Sequence, residues 1–517
     1  MSMPVIRTSK SINYSLPAPT GGLNVRDSLD VMARTDAIVM DNYIPRETKV
    51  SLRKGYTMHA KLTAPVMTLA AYKKAGSERL IGISGGKAYN LTSKKNVRVL
   101  SGASFQKNRC QTVRYKDRLF LMNGVDTPKV FYVNDNGEDV LEDWGFEGEG
   151  LTAAKMISGG VSKQFLWFVE KETLKVWYAA SAGNISGTLK AFDLSQTARF
   201  GGSLAAVCCW TVDGGTGIDD LTVFITTEGE VLVYAGINPN SADEWSLKGS
   251  FKIARPIGAQ CTMPYQGDIV VITEEGYLPL SKVLPLAQAG TSAVSFSDKI
   301  NGLVLERAAS GKNKDGWQSV MYPKGGFCLF NVPVSRLFEQ HVITLNTGAW
   351  CRFTGIKSYC WELFEGRLYF GADYGVCLFD DGCSDNGTPI AGEVRQAFCN
   401  LGTDNLKKIQ LLNPRTKSAT KYALVIYTDM DFEERRLAYA ENLGSTGLTR
   451  WNEAPWSSLA NPVGTKWQTL RGVIRSQWIA NSATGFKASV VFKTKTRGNM
   501  IDWYDTGVRY ETAAGVL

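Results

Sequence analysis

Leu221-Thr222-Val223-Phe224-Ile225-Thr226-Thr227-Glu228-Gly229-Glu230-Val231-Leu232-Val233-Tyr234 reads as two strands and one turn. Both flanks are rich in β-branched and aromatic residues, and the Glu-Gly step between them supplies a tight reversal. That is a hairpin signature. The same pattern recurs along the chain. Leu80 to Ile83 leads through Gly85-Gly86 to Ala88-Tyr89, and Arg118 to Met122 through Asn123-Gly124 to Val130 to Tyr132. Phe165 to Phe168 precedes Leu174 to Tyr178. Asp268 to Thr273 leads through Glu275-Gly276 to Leu278, and Arg367 to Phe370 through Tyr374-Gly375 to Phe379. Phe327 to Phe330 with Val342 to Trp350 fills the widest gap, so there are six or seven units. Their spacing suits propeller blades, which take roughly 40–50 residues each. A tandem of β-sandwiches would show similar spacing.

The frame around these hairpins is ordinary. The 517 residues exceed one core and point to several domains or a repeat architecture. Hydrophobic residues make up 44% and charged residues 21%, which suits a folded protein. The longest apolar runs, such as Leu204 to Val212, are too short to span a bilayer as a helix. MSMPVIRTSK at the start has no apolar signal core, so synthesis in the cytoplasm is expected. Ten cysteines are scattered without a CxxC pair and are expected to be buried and reduced. With only His59 and His341 in the chain, no metal site is expected. The net charge of +9 permits nucleic-acid contact, but its denser spots are short: Lys94-Lys95, Lys407-Lys408 and Arg435-Arg436. They are read as solvated surface.

The organisation expected from these patterns has three parts. Residues 1–60 form an irregular N-terminal segment with one short helix near Ser28 to Asn42, ended by Pro45, and supply inter-domain or inter-subunit contacts. Residues 61–390 form an all-β propeller. One helix interrupts it, capped by Ser297, with Ile300, Leu303 and Val304 at helical spacing and Arg307 near its end. After residue 391 the hairpin period is lost. Alternation at Tyr422 to Tyr427, Thr469 to Trp478, Lys487 to Lys493 and Trp503 to Tyr510 predicts a separate antiparallel β-sandwich-like domain over 391–517.

No constellation points to catalysis. Asp219-Asp220 and Glu274-Glu275 are read as turn residues, because a glycosidase needs carboxylates set apart in space. Asp380 to Gly387 resembles a calcium loop superficially but lacks alternating ligands and a terminal glutamate. No P-loop or dinucleotide fingerprint is present and no nucleophile elbow is expected. Tryptophans such as Trp167 and Trp177 sit inside β patterns and are read as core. The expectation is therefore a non-enzyme with no catalytic, cofactor or metal residues.

A resemblance adds to this reading. Gly21-Gly22-Leu23-Asn24-Val25-Arg26-Asp27 is followed by Asp36-Ala37, Asp41-Asn42-Tyr43-Ile44-Pro45 and Leu52-Arg53-Lys54-Gly55-Tyr56. Further on come Pro279-Leu280-Ser281-Lys282, Ser297-Asp298-Lys299-Ile300, the tryptophan hairpin Leu345 to Gly355, and Gly366 to Gly371 with Asn386-Gly387. This order resembles the tail nozzle or tail tubular proteins of short-tailed phages, also described as packaged-DNA stabilisation proteins. The resemblance implies a six-bladed propeller with accessory β-domains. It further implies a hexameric ring below the head-to-tail adaptor that extends the DNA channel, retains the genome and releases it. Tail fibres, tailspikes or a tail needle would be neighbours, and duplex DNA would pass without sequence-specific binding. No catalytic residue is implied. Within that resemblance Trp350 is read as blade core, with an interface role as the alternative. The competing class is a carbohydrate-binding or depolymerising tail propeller.

Overall fold

The computed structural model describes residues 11–512, apart from 103, 214–217, 283–294, 336 and 441–472, and apart from the side chains at 212, 213, 218 and 219. The chain is mostly β. Six small sheets stand as propeller blades. Blade 1 holds Val66–Tyr72, Arg79–Ser84, Lys87–Asn90 and Arg98–Val99; blade 2 runs from Gln111–Tyr115 to Asp139–Asp143. Blade 3 runs from Met156–Ser162 to Gly187–Asp193, with Phe146–Glu147 added at its rim. Blade 4 runs from Leu204–Asp213 to Trp245–Lys252, and blade 5 is the three-stranded sheet Thr262–Tyr265, Asp268–Thr273, Gly276–Pro279. Blade 6 holds Cys360–Phe364, Arg367–Ala372 and Gly375–Phe379. Between blades 5 and 6 the circle passes through Gln318–Tyr322, Phe327–Val334, Leu337–Thr344 and Trp350–Phe353. These four strands are one end of a nine-stranded sheet.

The apolar runs form blades because both faces of each sheet are covered. Phe165 to Glu170 are all buried, with no polar alternation. Ala70, Tyr72, Ile81 and Ile83 of blade 1 meet Leu119, Leu121 and Phe131 of blade 2. On the other face of blade 1, Val66, Leu69 and Leu80 meet Phe364, Tyr369 and Val376 of blade 6. Trp167 of blade 3 stacks on Trp245 of blade 4 with centroids 5.6 Å apart. Full burial of each large apolar side chain contributes about 1.5–3 kcal/mol. Where inner strands run close, a side chain is excluded: a Cβ on Gly160 would lie 2.6 Å from the Val207 carbonyl oxygen. The last blade is closed by the N-terminal part of the chain, since Tyr56–Lys61 pairs antiparallel with Gly375–Phe379.

The C-terminal region is a two-sheet sandwich, as the alternation predicts, but it is not built from residues after 391 alone. Lys407–Ser418 and Ile501–Thr512 pair over their whole length, and Ser11–Pro17 extends the latter from Ser11↔Glu511 to Pro17↔Asp505. Val50–Leu52 joins the same sheet. The facing layer is the far end of the nine-stranded sheet: Asp36–Asp41, Ile390–Gln396, Ala488–Thr496 and Leu424–Met430. Phe492 and Trp503 stack between the layers at 4.5 Å, with Tyr43 edge-on to Phe492.

Four expectations are corrected. The segment 1–60 is not irregular where described, because residues 11–60 hold strands in both the sandwich and blade 6. The helix near Ser28 to Asn42 is a single turn at Ser28 followed by the strand Asp36–Asp41, and Pro45 ends the strand Tyr43–Pro45. Asp36–Asp41 is drawn into a sheet because Ala37 and Met40 are buried against the sandwich core and the backbone pairs with Glu393 to Gln396. The boundary at 391 falls inside Ile390–Gln396, which is shared with the sheet that continues into the propeller. The helix near 300 is present, as a short 3-10 turn Asp298–Ile300 and the helix Asn301–Gly311, but Ser297 does not cap it. Its hydroxyl instead accepts the Tyr277 amide at 3.0 Å. All ten cysteines are free.

Candidate functional site: a buried polar seam between propeller and sandwich

Several of the segments that carry the resemblance meet in space. Gly22 has φ +84°, and a Cβ there would lie 2.6 Å from the Trp350 carbonyl oxygen, so the strap from Gly21 to Asp27 lies directly on the tryptophan hairpin. Asn24, fully buried, donates to Asp36 at 2.8 Å and Asp27 at 2.9 Å and accepts the amides of Arg26 and Asp27. The strap is tied to the start of the helix by Val25 N to the Lys299 carbonyl (2.8 Å), by Lys299 to Asp36 (3.0 Å), and by Arg26 to Asp298. Trp350 is 2% exposed and packs against Tyr277, Phe296 and Phe330, which makes it core.

A second cluster is centred on Arg53. Its guanidinium grips Asp385 with both nitrogens at 2.8 and 2.6 Å, and Nε donates to Asn42 Oδ1 at 2.7 Å. Asn42, with φ +60°, donates to the Ala391 carbonyl and to Thr354 Oγ1 and accepts the Thr354 amide. Asparagine is among the few side-chain-bearing residues that tolerate this backbone region. One arginine and one asparagine thereby join the N-terminal strands, the nine-stranded sheet and the turn after blade 6.

The third cluster was missed in the sequence. Arg352 holds Asp41 with two hydrogen bonds, 2.7 and 2.8 Å, and lies 3.5 Å from Glu339. Glu339 also accepts from Arg307 at 2.6 Å and from His341 Nε2 at 3.0 Å, and His341 Nδ1 meets the Tyr277 hydroxyl at 2.8 Å. Burial pushes the Glu339 carboxyl up, but the His341 hydrogen bond, with Arg307 and Arg352, outweighs it and leaves it at about 2. Burial lowers His341 against the pull of Glu339, so it is neutral, with the proton assigned to Nε2 by its carboxylate partner. The available signal was Glu339-Gln340-His341, three polar residues inside the apolar strand Leu337–Thr344. Buried polar groups in such a place must find partners.

The acid–histidine–tyrosine chain has the order of a proton relay, but His341 is 0% exposed and Tyr277 is stacked on Phe330 at 4.0 Å. Enclosed in the core, the chain of hydrogen bonds ties the strand Leu337–Thr344 to Gly276–Pro279. The other candidate acids are occupied separately. Asp220 accepts from Thr211 at 2.8 Å; the side chain of its neighbour Asp219 lies outside the described residues. Glu274 pairs with Lys312 at 3.1 Å. In the turn that looked like a calcium loop, Asp380 takes Lys54 and the Tyr322 hydroxyl, and Asp385 takes Arg53. Among the described residues no group of three or more His, Cys, Asp and Glu could hold a metal ion. Gly82-Ile83-Ser84-Gly85-Gly86 does carry the letters of a nucleophile elbow, which the sequence reading passed over. It forms a β-hairpin rather than a strand–turn–helix, and Ser84, 1% exposed, donates to the Ala64 carbonyl. A cleft of about 500 Å³ opens beside the seam, lined by residues that include Arg46, Lys49, Lys54, Lys324, Asp380 and Asp502.

No protein-family model and no curated protein matches the sequence. Solved structures to which stretches of the chain are similar include the computationally designed Ika8 protein (10% identity, TM-score 0.36, covering 62% of this chain and 99% of that one). Streptogramin B lyase is 9% identical with TM-score 0.40 over 62% and 96% of the two chains. An exo-β-1,3-galactanase from Phanerochaete chrysosporium is 9% identical with TM-score 0.30 over 78% and 96%. These likenesses are too low to carry any argument about function. The class defined by the coordinates themselves is an all-β propeller joined to a β-sandwich, and no helix among the described residues is long and apolar enough to cross a membrane.

Proposed function

We propose that the chain is a structural virion protein, a tail nozzle subunit of a short-tailed phage. Copies form a ring, a hexamer in this reading, below the head-to-tail adaptor. The ring extends the DNA channel, retains the packaged genome and lets it pass during ejection. Duplex DNA is in transit and is not read by sequence. Tail fibres, tailspikes or a tail needle are the outer neighbours, and the virion tail is where the protein resides. It carries out no reaction of its own.

The observation that carries the reading is where the resembling segments lie. Gly21 to Asp27, Asp36 to Tyr56, Ser297 to Ile300, Trp350 to Thr354 and Asp385 to Asn386 are scattered over 366 residues of sequence, yet they share one seam. A common origin with the nozzle family accounts for a shared set of residues whose work is to lock propeller to sandwich. A propeller also leaves only short sheet edges, which suits a subunit held at high local density without aggregating.

The test is an electron-microscopic reconstruction of virions in which this chain carries a label. Six labelled copies in a ring on the channel axis, distal to the adaptor, are expected. A single copy per virion, a label off the axis, or release of oligosaccharide from host surface polysaccharide by the purified protein would overturn the reading.

A further inference from the structure

Charge is distributed unevenly along this chain. Between Val130 and Ala154 the sequence holds Asp135, Glu138, Asp139, Glu142, Asp143, Glu147 and Glu149 and no lysine or arginine. In the fold this run forms the outermost strand of blade 2, Asp139–Asp143, and then Phe146–Glu147 at the rim of blade 3. Asp139–Asp143 is the outermost strand and pairs on one side only with Lys129–Val133. Asp135 pairs with Lys74, Asp139 with Arg79 and Asp143 with Lys129, which leaves the exposed Glu142, Glu147 and Glu149 for other partners.

The opposite holds in the sandwich. Residues 407–421 and 473–487 carry Lys407, Lys408, Arg415, Lys417, Lys421, Arg475 and Lys487 and no acid. They form Lys407–Ser418, Val473–Ser476 and Ile479–Gly485, at one margin of its sheet. Lys407 is buried, Arg415 is paired with Asp505, Lys487 with Asp30, and Arg475 Nε donates to Ser418 at 3.1 Å; among the described residues this leaves Lys408, Lys417, Lys421 and the other guanidinium nitrogens of Arg475 for other partners. A groove of about 540 Å³ opens here, floored by Pro414, Tyr422, Leu424 and Ile479 and flanked by Lys421 and Arg475, with no carboxylate among its lining residues. Val473 and Ile474, 57% and 66% exposed, stand on the edge strand beside it. Among the described residues Val473–Ser476 pairs on one side only, with Lys407–Ser418, and exposed aliphatic residues on such an edge invite another strand.

The two features lie on different parts of one copy. The sandwich is attached at the sector between blades 5 and 6, and blade 2 lies three positions round the circle from it. Two different complementary faces on well-separated parts of a subunit make a heterologous contact, which closes into a ring when the rotation allows. We propose that the ring contact seats the acidic rim of blades 2 and 3 of one copy against the basic, apolar-floored margin of the sandwich of the next. Asp139–Asp143 adds alongside Val473–Ser476, the exposed carboxylates of Glu142 and Glu147 meet Lys421 and Arg475, and Val473 and Ile474 are covered. This rests on the ring reading above and names its interface.

Charge reversal in assembling virions tests the contact. Lys421→Glu with Arg475→Glu, or Glu142→Lys with Glu147→Lys, is expected to lower incorporation of the chain into tails by about tenfold or more, as buried interfacial charges do when reversed. All four changes in one chain restore complementarity at every contact and are expected to recover incorporation to within about twofold of the parent. Glu142, Glu147 and Lys421 are exposed, whereas Arg475 is half-buried on Ser418, so thermal unfolding of each variant is measured beside incorporation, and Lys421→Glu alone is expected to lower incorporation with unfolding unchanged, which separates assembly from folding. Unimpaired incorporation of either double variant, or no recovery in the fourfold variant, overturns the contact. In the labelled reconstruction, a ring whose sandwich groove faces solvent overturns the contact and leaves the ring standing. A tail without a ring overturns both.

Discussion

Single side chains carry the union of propeller and sandwich. The Arg53 guanidinium is 1% exposed and Asp385 is 9% exposed, so replacing either one leaves a charge buried without its partner. Breaking such a pair costs about 3–5 kcal/mol. Asp385→Asn or Arg53→Met is therefore expected to lower denaturant stability by that order, and unfolding titrations of parent and variant would show it. A loss under about 1 kcal/mol would mean that the pair is solvated in solution. The Glu339–His341 pair sets the acid response. His341 lies below its ordinary 6.5 in the fold, so the unfolded chain binds the proton first and stability falls as pH drops below about 6.5. Glu339 lies at about 2 against an ordinary 4.5, so its contribution is complete above 4.5 and is lost progressively as pH falls towards 2. Urea midpoints from pH 7.5 to 4 should fall throughout, and Glu339→Gln should flatten the part below 4.5. A midpoint independent of pH across that range would contradict the network. The resembling motifs were legible as letters, but Tyr277, Glu339 and His341 were not, since partners 64 residues apart leave no local period.

At the scale of elements, the hairpins were legible because strand, turn and partner strand are contiguous. Thr226 and Gly229 close the turn that the Glu-Gly step announced, with Gly229 at φ +81°. Strands whose partners are distant were not legible. Asp36–Asp41 reads equally well as a helix start until Arg395 and Gln396 are seen beside it. The closing strand Tyr56–Lys61 has the same character, since its partner Gly375–Phe379 comes some three hundred residues later. It buries Ala60 against Val66, Val376 and Phe364 and gives blade 6 its fourth strand. A chain beginning at Leu62 is expected to lose cooperative unfolding, and a separate fragment covering 1–61 is expected to restore it on mixing. Circular dichroism melts would follow both. Unchanged cooperativity without the fragment would show that the circle is held by blade-to-blade packing alone.

For the whole molecule, one continuous core joins what the sequence divides. Trp361 and Phe370 of blade 6, Trp350 of the tryptophan hairpin, and Phe492 and Trp503 of the sandwich belong to a single buried cluster. Calorimetry should therefore show propeller and sandwich melting in one transition, and two resolved peaks would refute the shared core. The proposed channel role adds a constraint on charge. Six lysines at one level of a bore would hold phosphates tightly through counterion release and oppose exit. The excess of +9 is accordingly expected on outer and inter-subunit faces, as the exposed Lys408, Lys417 and Lys421 suggest, with a bore that is neutral or acidic. Purified protein should then retain little duplex DNA on a filter at 150 mM salt, a level set by the screening length of about 8 Å. Retention that survives at that salt would mark a DNA-binding surface instead.

By itself the sequence determined the blade. The apolar runs met a turn with glycine or acid residues and then a partner strand close by in sequence. It also determined the alternation of the sandwich strands and the helix at Asn301–Gly311. Tertiary structure alone decided where the N-terminal strands belong, how the circle closes, and which buried charges answer one another. Those outcomes depend on pairings such as Arg53 with Asp385 and Ser11 with Glu511, hundreds of residues apart, and such pairings leave no trace in local periodicity. Their energy exists only once the chain has brought both partners out of water together.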